Sequence, residues 1–387
     1  MHELASSVSL GLPSGAPRKA GEGVSPKARN PRIDLLRGIA ILLVLLLHFT
    51  LTYRLGDSPL TRVIPGPWLR ALLINGNYGV TIFFVLSGYL ITSMTLDRFG
   101  ALGKVDLRTF YALRLSRILP CLGLALLIIV PLGCLGLPSF RNASEGVVWS
   151  RASFVTVTAS VLTFWHNILM ARQGYFNYAL NIYWSLSVEE VFYLGFPLVC
   201  ATLKRQRWFL LVCALAILVG PWYRSLHRED EILFMYGHLA CFDAIAFGCI
   251  AALLARRWPL AGRWATPLQI AAALLVVVTY LQGIYGHEVW GFTLIALGTA
   301  VLAWGSPSSR RGWAPLNWLG GHSYELYLFH IVVLGLLRDW IGRKHMQPGW
   351  KLPWLLLFLG LSALVAWALA RFYSEPLNRG LRRRLLR

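Results

Sequence analysis

RIDLLRGIAILLVLLLHFT, residues 32–50, decides the fold class of this chain. From Ile33 to Tyr53 the sequence is almost wholly Leu, Ile, Val and Ala, long enough to cross a bilayer as a helix. Two residues break that pattern, Arg37 and His48, eleven positions apart. Eleven residues make close to three helical turns, so both side chains project from nearly one face, roughly 16 Å apart along the axis. A guanidinium near the helix entry and an imidazole deep inside it are costly in lipid, which marks them as functional candidates. The plain structural alternative has Arg37 reaching the headgroups beside Asp34, and His48 bonded to a neighbouring helix.

Composition points the same way. Hydrophobic residues make up 56% of the chain and charged residues 14%, with a mean hydropathy of +0.57. Those values exclude an ordinary soluble domain. The 16 Trp and 15 Tyr suit two interfacial belts. A net charge of +20 could suggest nucleic acid, but the Lys and Arg fall in short clusters between apolar spans, as topogenic charge does. Cys121, Cys134, Cys200, Cys213, Cys241 and Cys249 lie in or beside apolar segments without metal-type spacing. They read as small hydrophobes, with neither disulfides nor a metal centre expected.

Ten spans follow from the hydropathy pattern, at approximately 33–53, 72–96, 114–135, 183–203, 207–223, 236–255, 267–284, 288–304, 321–341 and 352–373. The expected fold is an all-α, polytopic membrane helical bundle. Residues 1–30 read as a flexible basic tail, 31–376 as the transmembrane domain, and 377–387 as a second basic tail. Basic clusters in the N-terminal tail, at 97–117, 204–207, 256–257, 310–311 and 382–384 fall on one side if ten segments cross. Both termini are then cytoplasmic, with the chain in the inner membrane. The apolar but short and Thr-rich 154–170 must not cross, since a crossing would invert every later cluster, so it is expected to be interfacial or re-entrant.

That topology gives the polar residues depths. Glu189 and Glu190 open the fourth span at about the depth of His48, a base and a carboxylate to orient it. Arg114 and Arg117 begin the third span at the level of Arg37, where three guanidiniums would suit a phosphate-bearing polyanion. Ser87 is the rival nucleophile, but no Gly-x-Ser-x-Gly elbow surrounds it, and a Ser beside Gly in a span reads first as a close-packing site. A proton-coupled transporter or exporter would also carry stepped His, Glu and Arg, and stands as the alternative class. The arginine cluster favours an enzyme with a phosphorylated donor.

Several segments together resemble the acyltransferase 3 family of integral-membrane O-acyltransferases. They are RIDLLRGIAILLVLLLH (32–48), GVTIFFVLSGYLI (79–91), RLSRILP (114–120), YWSLSVEEVFYLGFP (183–197), FDAIAFGCIAALL (242–254), LGGHSYELYLFH (319–330) and FYSEP (372–376). The resemblance implies a ten-span core that moves an acyl group from cytoplasmic acyl-CoA, usually acetyl-CoA, to a hydroxyl of a saccharide or glycan-like acceptor. Acyl-CoA is then a co-substrate, and no bound cofactor is implied. His48 matches the family's catalytic His in an Arg-x10-His motif with Arg37, and would be base or acyl carrier. Arg114 and Arg117 match its donor-binding Arg-x-x-Arg, and Glu189 matches the first Glu of its Trp-Ser-Leu-x-x-Glu signature. Ser87, Tyr324, Tyr327 and His330 match further pattern positions.

The departures are equally specific. Cys241-Phe242-Asp243 stands where the family usually has Arg-x-Asp, so Asp243 lacks its Arg, and Thr81 stands where many members carry Asp. Members with an attached esterase-like domain are much longer, so the resemblance implies a stand-alone transferase module.

Overall fold

The computed structural model describes residues 30–142, 152–305 and 313–386. The expected N-terminal tail, up to residue 29, and the Arg310-Arg311 cluster lie outside them. Among the described residues the fold is all-α, without a strand; Leu260 and Gly305 form an isolated bridge.

Helix α1 (Pro31–Tyr53) is followed by α2 (Gly66–Ile74), α3 (Asn77–Phe99) and α4 (Leu107–Cys134). The sequence reading runs α2 and α3 together at residue 72. They separate at Asn75-Gly76, where the Asn75 side-chain amide donates to the Tyr280 carbonyl at 2.8 Å and a Cβ on Gly76 would overlap the Leu43 carbonyl. The α4 helix begins seven residues earlier than expected because Asp106 caps it, accepting from the Thr109 N–H at 2.8 Å.

Residues 154–170 do not form one long helix. They form α5 (Phe154–Leu162) and α6 (His166–Gln173), of nine and eight residues, separated by Phe164 in the left-handed region at φ 64°. Neither approaches the ~20 residues a crossing needs. Next come α7 (Trp184–Leu203), α8 (Gln206–Leu226), α9 (Glu231–Tyr236), α10 (His238–Arg257), α11 (Ala265–Gln282), α12 (Gly291–Trp304), α13 (Ala314–Gly321), α14 (Ser323–Trp340), α15 (Lys351–Leu369) and α16 (Glu375–Leu385). Residues 370–374, a π-turn, join the last two into one bent rod.

Each of the ten expected spans coincides with a helix. Eight described segments are long and apolar enough to cross a membrane. Of the other two, α12 has 14 residues, and α14 has 18 but carries Glu325, Arg338 and Asp339. The chain is a multi-pass membrane protein.

Two packing features set the site. First, α3 and α10 cross at backbone contact: a Cβ on Gly88 would overlap the Ile245 carbonyl, and one on Gly248 the Val85 carbonyl. Close approach through small residues is how helices associate where lipid removes the hydrophobic drive. Second, α1 and α14 run parallel. Arg37 meets Ser323, the His48 and His330 rings meet, and the Tyr53 hydroxyl donates to the Ile341 carbonyl at 3.1 Å. The α7 helix runs the other way beside them: the Tyr183 hydroxyl donates to the Leu328 carbonyl at 3.2 Å, and Ser185 meets the Tyr327 hydroxyl at 2.5 Å.

All six cysteines are free; Cys134 is exposed and the rest are buried. The stretch after Pro376 is helical and docked, with the Ser116 hydroxyl of α4 donating to Asn378 at 3.2 Å.

Candidate functional site

His48 is half-buried three residues before the last turn of α1, and its Nδ1 lies 2.9 Å from the carbonyl of Val44. A carbonyl only accepts, so Nδ1 carries the proton and Nε2 presents its lone pair. The His330 ring stands edge-on to it, centroids 5.0 Å apart and planes inclined 63°. His330 is fully buried and spends Nδ1 on the carbonyls of Leu326 and Tyr327, at 3.0 and 2.8 Å. His48 thus faces outward and His330 backs it.

A cavity of about 840 Å³ opens onto His48. Its wall includes Thr52, Tyr178, Trp184 and Tyr327, and its rim carries Arg338, Asp339, Arg343, Lys344 and His345. That volume suits a ligand of drug size or a short oligosaccharide segment. Several polar groups hold the wall. Thr52 donates to the His48 carbonyl at 2.8 Å and meets the Tyr178 hydroxyl at 2.5 Å. The Arg338 guanidinium lies 4.7 Å from the Tyr178 ring centre. The Tyr327 hydroxyl donates to the Ile182 carbonyl at 2.9 Å.

Glu189 is not among the residues that line the cavity. Helix α7 already stands level with Tyr327 at Ser185, and Glu189 is one turn further, about 6 Å toward the Arg37 end. There it accepts from the Tyr193 hydroxyl at 3.4 Å and lies in the field of Arg114, Arg37 and Arg117. The group that orients His48 is the backbone of Val44, one turn back on its own helix.

The middle of the bundle is built around Tyr193. Its hydroxyl is in a short hydrogen bond with Ser87, and the Arg114 guanidinium stacks on its ring at 3.6 Å. Ser87 is therefore held by a phenol beside the α3–α10 crossing and does not reach the cavity. Glu190 is buried beside Glu189, and its Oε1 has no partner among the described residues.

At the far end, Arg37 donates through Nε to Ser323 at 3.0 Å. Arg117 shares an electrostatic neighbourhood with Arg114, Glu325 and Tyr324. The Tyr324 hydroxyl donates to the Ile118 carbonyl at 2.9 Å, and Ser374 donates to Glu325 at 2.8 Å. These ties fix α14 against α4 and the start of α16.

Asp243 does have an arginine, though not at position 241. Arg224, on α8, grips it with both terminal nitrogens, Nη2 to Oδ2 at 2.6 Å and Nη1 to Oδ1 at 3.2 Å. Thr293 donates to Oδ2 at 2.7 Å, and Nε of Arg224 donates to the Val289 carbonyl at 3.0 Å. Both ionised groups are fully buried. Gly220 lets the helices close, because a Cβ there would lie 2.6 Å from the Asp243 carboxyl carbon. The sequence signal was slight: Arg224 stands one residue past the expected span 207–223, one turn beyond a Gly-Pro pair, where an arginine also reaches the headgroups. Tyr178, Tyr193, Ser323 and Arg338 carry no comparable signal, since a tyrosine, serine or terminal arginine in a span is commonplace.

Among the described residues no group of three His, Cys, Asp or Glu could hold a metal. The arrangement offers an unprotonated imidazole nitrogen at an open cavity and, down one face of α1, a set of guanidiniums at the other end of the bundle.

This chain is similar to two curated bacterial proteins over most of its length. One, named "Putative peptidoglycan O-acetyltransferase YrhL", from Bacillus subtilis, is 28% identical over 345 residues, covering 79% of this chain and 49% of its own length. The other, peptidoglycan O-acetyltransferase OatA of Listeria monocytogenes, is 26% identical over 377 residues, covering 90% of this chain and 56% of its own. The chain thus spans about half the length of the curated relatives it matches. No solved structure matches it. The model of an acyltransferase domain, Acyl_transf_3, matches residues 30–371, and the chain belongs to the acyltransferase 3 family.

Proposed function

We propose that the protein is a membrane O-acyltransferase, moving an acyl group from acyl-CoA, in first place acetyl-CoA, to a hydroxyl of a glycan. The observation that carries this reading is His48, its Nδ1 taken by the Val44 carbonyl, on the lining of the 840 Å³ cavity. Its support is Arg37, about 16 Å further down α1, with Arg114 and Arg117 of α4. Members of the family transfer acyl groups, and the relatives are named for peptidoglycan O-acetylation.

In the direct mechanism, the acceptor hydroxyl enters the cavity and gives its proton to His48 Nε2 as its oxygen attacks the thioester carbonyl. The new C–O bond forms, the C–S bond breaks, and the imidazolium returns the proton to the departing thiolate. His330 has its Nδ1 on two backbone carbonyls and its Nε2 buried without a partner among the described residues, and serves to hold the His48 ring. Arg37, Arg114 and Arg117 would take the donor's phosphates, because the planar guanidinium fork suits phosphate oxygens and stays charged. Glu189 sits among them as a positioning group.

The orientation that agrees with the basic clusters puts the Arg37 end at the cytoplasm and the His48 cavity at the opposite face. Both described termini are then cytoplasmic. On that reading Arg338, Arg343, Lys344 and His345 gather on the side where topogenic rules disfavour positive charge. Their companion Asp339 is engaged, accepting from the Ser139 hydroxyl at 2.7 Å and the Ser139 N–H at 3.1 Å. A glycan bearing carboxylates suits such a rim. An accessibility tag at Arg205 is expected to read cytoplasmic and one at Lys344 external; the same side for both would overturn the arrangement.

The direct test of the reaction uses purified protein and acetyl-labelled acetyl-CoA, with and without peptidoglycan fragments. Label is expected on glycan hydroxyls with stoichiometric release of CoA. Intact acetyl-CoA under both conditions would leave a transporter as the better reading.

A further inference from the structure

The helix α16, beyond the region matched by the family model, carries Arg382, Arg383 and Arg384 in a row. Only the first turns inward. Arg383 and Arg384 are exposed, whereas Arg382 is half-buried and its Nε has no hydrogen-bond partner among the described residues. The register explains its direction. Asn378 is bonded to Ser116 of α4, and Arg382 is one turn further on the same face of α16. It therefore lies in the field of Arg114 and Arg117 of α4. Arg98, at the end of α3, shares this neighbourhood.

Four neighbouring guanidiniums repel one another, and the three half-buried ones, Arg114, Arg117 and Arg382, are the less well screened. The Nε of Arg114 is likewise buried and unpartnered among the described residues. Leaving buried donors unmade is costly. Two of the nearby acids are paired outside the group, and Glu325 has a serine partner. Asp97 pairs with Arg256 at 2.9 Å, Glu375 with Arg379 at 3.1 Å, and Glu325 accepts from Ser374. Glu189 and Glu190 act on Arg114, and Glu189 and Glu325 on Arg117, whereas the charged groups acting on Arg382 are Arg117, Arg98 and Arg114. An arrangement of four cations and two open donors is completed by an anion with several oxygens.

We infer that α16 closes a phosphate site against α4, in which Arg382 and Arg98 join Arg114 and Arg117 in binding a phosphate-bearing polyanion. Resting on the acyl-CoA reading above, that polyanion is the nucleotide end of the donor. An anionic lipid headgroup at the membrane surface offers the same chemistry, and the experiment separates the two sources.

The full chain is placed in phosphatidylcholine nanodiscs and titrated calorimetrically with CoA, which binds without turning over. Arg382→Gln is expected to weaken CoA about tenfold, the loss of roughly one charge-assisted phosphate contact. It should also flatten the dependence of affinity on salt. Arg382→Lys should recover part of the affinity. Arg379→Gln, on the exposed side of the same helix, should bind as the wild type does and reports that α16 is intact. In a second arm, phosphatidylglycerol replaces part of the phosphatidylcholine and thermal unfolding is followed. A stabilisation lost in Arg382→Gln, with CoA affinity unaltered, assigns the site to lipid. If Arg382→Gln matches the wild type in both arms, the phosphate site is wrong while the acyltransferase reading stands. If the wild type itself fails to bind CoA, that earlier reading falls, and the lipid arm alone decides the site.

Discussion

His48→Ala is expected to reduce acyl transfer by about a thousandfold or more while the protein inserts and melts as before. The size follows from general acid–base catalysis, which supplies roughly 10²–10⁴ in rate. The neighbouring imidazole, His330, has its Nδ1 on two carbonyls and is not among the residues lining the cavity. Folding is spared because His48 contributes one hydrogen bond, to a carbonyl on its own helix, and a ring contact. Removing a polar side chain from a span is no burden on insertion. The measurement is label transfer from acetyl-CoA beside a thermal melt in detergent. A variant that melts normally and keeps a tenth or more of the activity would end the assignment of His48 as base or acyl carrier.

The second large effect concerns stability. Arg224→Ala leaves the Asp243 carboxylate buried with Thr293 and one backbone N–H as remaining donors. Breaking a buried ion pair from one side costs about 3–5 kcal/mol, mainly through the stranded charge. Such a loss is comparable to the whole stability of many domains. The variant is therefore expected to be recovered in low yield or to melt well below the wild type. Replacing both members, Arg224→Met with Asp243→Leu, should restore much of the stability, since an apolar pair of similar volume removes the stranded charge. The two single variants and the double variant form a cycle that can be read from melting temperatures. Equal losses in Arg224→Ala and the double variant would show that volume, not charge, governs this place.

The same pair illustrates how far one dimension reaches. The departure at Cys241 appears in sequence as the loss of a partner for Asp243. In three dimensions that partner comes from α8, nineteen residues upstream, brought near because Gly220 lets the helices touch. The Cys241 thiol instead points to the carbonyl of Met235.

The sequence by itself determined the membrane class and the helices, because lipid demands long apolar runs in which every backbone group is satisfied locally. It also determined that Arg37 and His48 share a face, a consequence of helical pitch within one element. Pitch relates only residues on one helix. What stands opposite each residue depends on the direction, offset and crossing of separate helices, and those are set by packing. Tertiary structure alone therefore decided that Ser185 stands at the level of Tyr327 and that Glu189 lies in the field of the arginines. It likewise decided that His48 is backed by His330 and that α16 folds onto α4 at Ser116. Each is a contact between residues scores to hundreds of positions apart, where close packing, not local periodicity, selects the neighbour.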